Sequence, residues 1–195
     1  MTQTIDRSAI TSAPISEVIA NRWSPRSFDT GLDVPEEKVT ALLEAARWAA
    51  SAGNTQPWRF IVARRGSRAH ARIVENLMGF NKVWAGSAAL LVVNLAERVT
   101  VEGAEQRWAE YDLGQAVATL SLQAHKDGLH AHQMGGFEAE GLRQAFGIEE
   151  RFEVVSVTAI GILAAPEALA DEVLREREVA PRSRRPLEEI VLINE

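Results

Sequence analysis

The stretch "AASAGNTQPWRFIV", residues 49–62, changes character in its middle. Upstream, the segment 34–51 repeats Val39, Leu42, Leu43, Ala46 and Ala50 at helical spacing. With Pro35 in the first turn and Glu36 and Glu37 at the positive end of the dipole, it predicts a helix. Downstream, "WRFIVARR" (58–65) reads as a strand. Between them Asn54 and Gln56 present carboxamides at alternate positions, followed by Pro57 and Trp58. Each amide carries both donors and an acceptor, and is costly to bury without partners. A helix, an amide-bearing turn and a strand set an α+β order, and the amides need something to face.

Working outward, 13–22 predicts a first helix with Ser12 as a cap and Pro14 early. Helix is also expected over 67–77, 105–128, 138–148 and 166–176, with Gly128 stopping the long one. The near-continuous apolar run 88–96 reads as a fully buried central strand, and 151–164 as another strong strand. Residues 129–137 read as strand or loop with a glycine pair, and 177–186 as a basic loop. "LEEIVLIN" (187–194) reads as a last strand, which must pair with its own sheet or a partner's. The expectation is one α+β domain over 1–195, with about four strands mostly separated by helices.

Composition narrows the chemistry. The 195 residues carry a net charge of -6, which disfavours a general nucleic-acid role. The absence of cysteine removes disulfides, thiolate catalysis and thiolate-bound metals. No signal-peptide pattern opens the chain, and no apolar run approaches the roughly 20 residues that span a bilayer, so a cytoplasmic protein free of membrane is expected. His130 and His132 would share one strand face, as a metal pair can, or simply line a half-exposed edge. No third ligand follows at a convincing spacing, and no metal is expected. No nucleophile elbow or phosphate-binding glycine loop is present, and no residue is assigned as catalytic.

Positive charge is more informative. Arg22, Ser24 and Arg26 alternate in 21–29, and Arg182 and Arg184 alternate in 181–186. In extended backbone, alternate residues share a side, so each segment can aim two guanidiniums at one target. Such forks match phosphate oxygens, though two solvated basic loops would look the same. Carboxamides suit a heterocycle edge such as a flavin pyrimidine; turn bonding is the plainer role for Asn54 and Gln56. Together these features suggest an aromatic cofactor that bears a phosphate.

Nearly the whole chain resembles the FMN-dependent nitroreductase family, in order. "NRWSPRSFD" is similar to its opening Arg-Arg-Ser-x-Arg-x-Phe motif, with Trp23 at the second arginine. "AASAGNTQPWRFIV" is similar to its Pro-Ser-Ser-x-Asn-x-Gln-Pro-Trp motif, with Ala50 at the proline. "MGGF" resembles its x-Glu-Gly-Phe turn, with Gly135 at the glutamate, and "PRSRRPLEEIV" resembles the closing basic segment.

The resemblance implies a central mixed sheet flanked by helices, and an intertwined homodimer that exchanges its C-terminal strand. Two FMN sites would lie at the dimer interface. It implies that Arg22, Ser24, Arg182 and Arg184 hold the phosphate, that Arg26 sits near N1 and O2, and that Asn54 and Gln56 address the pyrimidine edge. Gly136 would approach N5 through its N–H, and Trp23 and Gly135 stand in the same site. The implied activity is reduction of nitroaromatics, quinones or related small acceptors with NAD(P)H as co-substrate, by ping-pong hydride transfer. A flavin-binding or flavin-storage protein of the same fold is the alternative.

Overall fold

The computed structural model describes residues 7–195. Twelve helices and strands follow in order: α1 (Glu17–Asn21), α2 (Glu36–Arg47), β1 (Trp58–Arg64), α3 (Arg68–Glu75), α4 (Asn81–Trp84), β2 (Leu90–Glu97), α5 (Ala109–Lys126), β3 (His130–Met134), α6 (Ala139–Phe146), β4 (Phe152–Gly161), α7 (Glu172–Val179) and α8 (Leu187–Ile190). The strands form one sheet in the order β1-β2-β4-β3.

Strand β2 is buried at every residue, as its near-continuous apolar run requires. Its one amide, Asn94, donates to Ser156 Oγ at 3.0 Å and Thr158 Oγ1 at 2.8 Å on β4. The ladder slips beside it, so that Val155 is an extra residue in β4. On one face Val39, Leu42 and Ala46 of α2 meet Leu113, Val117 and Leu120 of α5. On the other, Ile73 of α3, Trp84 of α4 and Leu142 of α6 cover the sheet. Burying two faces with helices makes a three-layer core.

Two expectations need correction. All three strand pairs are antiparallel, where a mixed sheet was expected. Helix α5 carries the chain from β2 to β3 so that the two run in the same direction, but β4 inserts between them and no parallel pair forms. Second, 187–194 is not a strand within its own chain. It makes one helical turn and leaves Leu187, Ile190, Leu192 and Ile193 exposed. β-propensity is expressed only against a partner strand, and none reaches this segment here.

Smaller differences lie at element ends. Helix α1 begins after Ser16 rather than Ser12. Helix α7 starts late, where the Asp171 side chain accepts the Leu174 N–H at 3.0 Å, and so runs into the expected basic loop. Gly128 has φ +75° and stops α5 as expected. Beyond β4, Phe28 bridges Leu163. That approach is close: a Cβ on Gly161 would lie 2.8 Å from Phe28 Cδ1 and 3.3 Å from the Ala89 backbone N.

Candidate cofactor site

After α1 the chain runs as segment 22–29 beside the β3 edge. Its backbone is fastened from several elements. The buried carboxylate of Glu178 accepts the Arg26 N–H at 2.9 and 3.0 Å and the Ser27 N–H at 3.1 Å. His132 Nδ1 lies 2.8 Å from the Pro25 carbonyl, and Ser27 Oγ donates to the Ala165 carbonyl at 2.7 Å. Arg26 reaches toward Glu178, Nη1 lying 4.0 Å from Oε2. Burial draws the Arg26 pKa down, with Glu178 opposing. Burial also raises the Glu178 pKa, against the backbone donors and Arg26. Trp23 is sandwiched, with Arg7 over its ring at 4.6 Å and His130 at its edge.

Arg22, Arg182 and Arg184 line one cavity of about 200 Å³, walled by Ile10, Ile15 and Ile19, and no carboxylate among the described residues lines it. Arg182 gives Nη1 to the carbonyls of Arg7 and Ala20 at 2.5 and 2.6 Å, and Arg184 gives Nη1 to that of Ser183 at 2.7 Å. The Arg22 N–H donates to the Val18 carbonyl at 3.1 Å, and among the described residues its guanidinium has no hydrogen-bond or ion-pair partner. Burial, then Arg22, Arg184 and Arg7, draws the Arg182 pKa down. Three cations together, with no carboxylate beside them among the described residues, create a field that attracts an anion. Ser24, between Arg22 and Arg26, is half-buried.

The amide turn is built differently. Asn54 and Gln56 are the non-glycine residues with positive φ, +58° and +50°, and Gly53 beside them has +58°. Gln56 Nε2 donates to Asn54 Oδ1 at 3.2 Å and to the Asn54 carbonyl at 3.3 Å, and both residues are exposed. The buried Asp112 of α5 fastens the turn by accepting the Ala52 N–H at 3.0 Å. Exposed amides held at positive φ on an anchored turn leave their polar groups open to a ligand.

Gly135 and Gly136 follow β3. The Gly136 carbonyl accepts the Met78 N–H at 3.0 Å and Asn81 Nδ2 at 3.2 Å. A Cβ at Gly136 would stand 2.9 Å from Asn81 Nδ2, whereas one at Gly135 meets nothing. Three residues thus enter from the structure. Asn81, Asp112 and Glu178 are remote in sequence from the segments they hold. The signal for Glu178 was a buried face, Leu174 and Glu178 one turn apart, with an acid where a hydrophobe is usual.

The chain gathers Arg22, Ser24, Arg26, Arg182 and Arg184 with the glycine turn toward the β3 edge. It places Asn54 and Gln56 before β1, the opposite edge. Three strand spacings separate those edges by about 14 Å. The arginine cluster and the amide turn therefore lie at opposite edges of the sheet. The residues fit a phosphate-bearing heterocycle: a cation cluster with no acid beside it among the described residues, exposed amides and a glycine turn with room above Gly135. His125 and His130 contact each other edge-on, and among the described residues no three His, Asp or Glu side chains converge as a metal site. No helix among the described residues is long and apolar enough to cross a membrane.

A family model described as "Nitroreductase family" matches residues 19–83 and 67–162. A solved structure described as an oxidoreductase containing FMN is 35% identical, with a TM-score of 0.88, covering 98% of this chain and 96% of its own. A protein from Desulfovibrio desulfuricans, solved in complex with FMN and described as a candidate nitroreductase, is 25% identical with a TM-score of 0.76, covering 95% of this chain and 99% of that one. A relative from Archaeoglobus fulgidus, described as a candidate NADH dehydrogenase/NAD(P)H nitroreductase, is 30% identical over 149 residues, 74% of this chain and 83% of its own.

Proposed function

The chain belongs to the nitroreductase family, and on that premise we propose that it is an FMN-dependent oxidoreductase. It takes reducing equivalents from NAD(P)H and passes them to small acceptors such as nitroaromatics or quinones. The observation that carries this reading is the cavity shared by Arg22, Arg182 and Arg184, which no carboxylate among the described residues lines. It lies beside the segment that carries Arg26, in a chain that is acidic overall.

When bound, FMN supplies the hydride chemistry at its N5; the protein supplies position and charge. Arg22, Ser24 and Arg184 hold the phosphate, and Arg182 contributes while keeping the N-terminal segment in place. Arg26 stabilises the negative charge that reduction brings to the pyrimidine end of the ring. Asn54 and Gln56 read that end, and Gly136 N–H serves the N5 side. The separation of the two sheet edges supports a homodimer, in which the amide turn of a second copy completes each site. The exposed apolar segment after α8 is suited to cover that copy. Nicotinamide and acceptor use one opening in turn, which gives ping-pong kinetics. We place the protein in the cytoplasm as one domain.

The test is the visible spectrum of the purified protein. A yellow protein that bleaches with NADH or NADPH under anaerobic conditions is the expected result. A yellow protein that neither cofactor bleaches would be a flavin carrier, and a colourless one that gains no thermal stability with FMN would overturn the reading.

A further inference from the structure

Glu178 is the least expected side chain in the molecule. It is 1% exposed, on a helix otherwise rich in solvated charge. Burying a carboxylate is costly unless its oxygens are paired. Here both oxygens accept backbone N–H groups, two contacts from Arg26 at 2.9 and 3.0 Å and one from Ser27 at 3.1 Å. The guanidinium of Arg26 lies at the edge of ion-pair range, 4.0 Å. The carboxylate therefore holds main chain first and the cation second. The other charged group facing it is Arg7.

From this geometry we propose that Glu178 is a positioning residue, which holds the Arg22–Ser24–Arg26 segment in shape before any cofactor arrives and so aims Arg26 at the ring. Two donors on adjacent residues cannot both turn to one acceptor in a regular strand. The carboxylate bends the segment at Arg26 and Ser27, and the clamps from His132 to Pro25 and from Ser27 to Ala165 fix the chain on either side. A neutral amide at 178 can keep one oxygen for both N–H groups, but it sets an NH₂ donor where Oε2 now accepts the Arg26 N–H at 2.9 Å and removes the charge that strengthens all three contacts. The segment then loses its fixed course, and Arg26 its aim. The inference rests on the flavin reading above for its effect on the ring, but not for the state of the free protein.

Two measurements test it. In the cofactor-free protein, amide exchange resolved by residue should show Arg26 and Ser27 N–H groups protected like those of the sheet. Exchange at the rate of an open loop would overturn the proposal without any variant. In the FMN-loaded protein, midpoint potentials are compared for the parent, Arg26→Ala, Glu178→Gln and the double variant. Arg26→Ala should lower the potential. Glu178→Gln should lower it in the same direction by a smaller shift, and the double variant should fall no further than Arg26→Ala alone. A lowered melting temperature with unchanged potential would show that Glu178 only stabilises the fold. A raised potential would show that it acts as a counter-charge, and additive shifts that it acts without Arg26; each overturns the proposal. If Arg26→Ala itself leaves the potential unmoved, the placement of Arg26 in the flavin reading fails instead. Should Glu178→Gln not fold, Glu178→Asp, with the charge kept but the reach shortened, should lower the potential, and an unchanged value would count against it.

Discussion

Along the β3 edge, the segment 24–29 is fastened by a carboxylate, an imidazole and a hydroxyl, so that its one arginine, Arg26, has little to search. Along the β1 edge, one buried carboxylate anchors the turn at Ala52, and two residues at positive φ remain exposed. The first edge spends its polar groups on order. The second holds strain, and its amides bond to each other until something better arrives. A cation on a fastened segment suits charge that develops at one fixed place. Exchangeable amide bonds suit a ring edge that must be recognised on arrival.

Acid should break the β3 edge first, with the largest effect. Burial holds His130 and His132 down to about 4. In the unfolded chain both protonate near 6.5. Their neutral state stabilises the fold fully above that value, and the contribution is lost as the pH falls from about 6.5 toward 4. The expected slope is up to about 1.4 kcal/mol per pH unit for each ring. Denaturation midpoints across that window should fall with pH, and His132→Gln should flatten the slope; a flat profile in the parent protein would contradict the burial described here.

The anion cavity gives the next effect. Arg22→Ala should weaken FMN by about 2–3 kcal/mol, the range of a charge-assisted bond, and leave riboflavin nearly unchanged because it has no phosphate. Equal losses for both ligands, measured by fluorescence titration, would move Arg22 away from the phosphate. On the opposite edge Asn54→Ala should cost about 1–2 kcal/mol for FMN and riboflavin alike, as a neutral pair does. An unchanged affinity would reduce the amides to turn formers.

The smallest effect has the opposite sign. Gln56→Gly places at φ +50° the residue that accepts it freely, and should raise stability by about 1 kcal/mol while weakening the flavin. A loss of stability on thermal denaturation would show that the turn carries no strain.

The sequence made the centre of this molecule plain and its margins obscure. The β2 run is apolar at nearly every position, and periodicity alone finds the helix over 34–51 and the one over 105–128. Alternation likewise marked Arg22, Ser24 and Arg26. The terminal strand misread because 187–194 has strand composition without a partner strand in its own chain. Asn81 escaped because nothing in "FNKVW" points to a glycine 55 residues later; only the folded chain brings its Nδ2 to the Gly136 carbonyl. Asp112 and Glu178 escaped because an acid in a helix looks solvated until the packing is known.

The close approach at Gly161 has a consequence for mutational tolerance. Any side chain there would meet Phe28, itself 3% exposed and unable to swing into solvent, with the Ala89 backbone behind. Relief comes by displacing Phe28, and the chain on which Phe28 sits also carries Arg26, two residues away. Gly161→Ala should therefore score in a genetic screen as a loss of cofactor, with the same phenotype as removing an arginine. A survey of tolerated substitutions would mark position 161 as part of the site, although the residue has no side chain with which to touch a ligand.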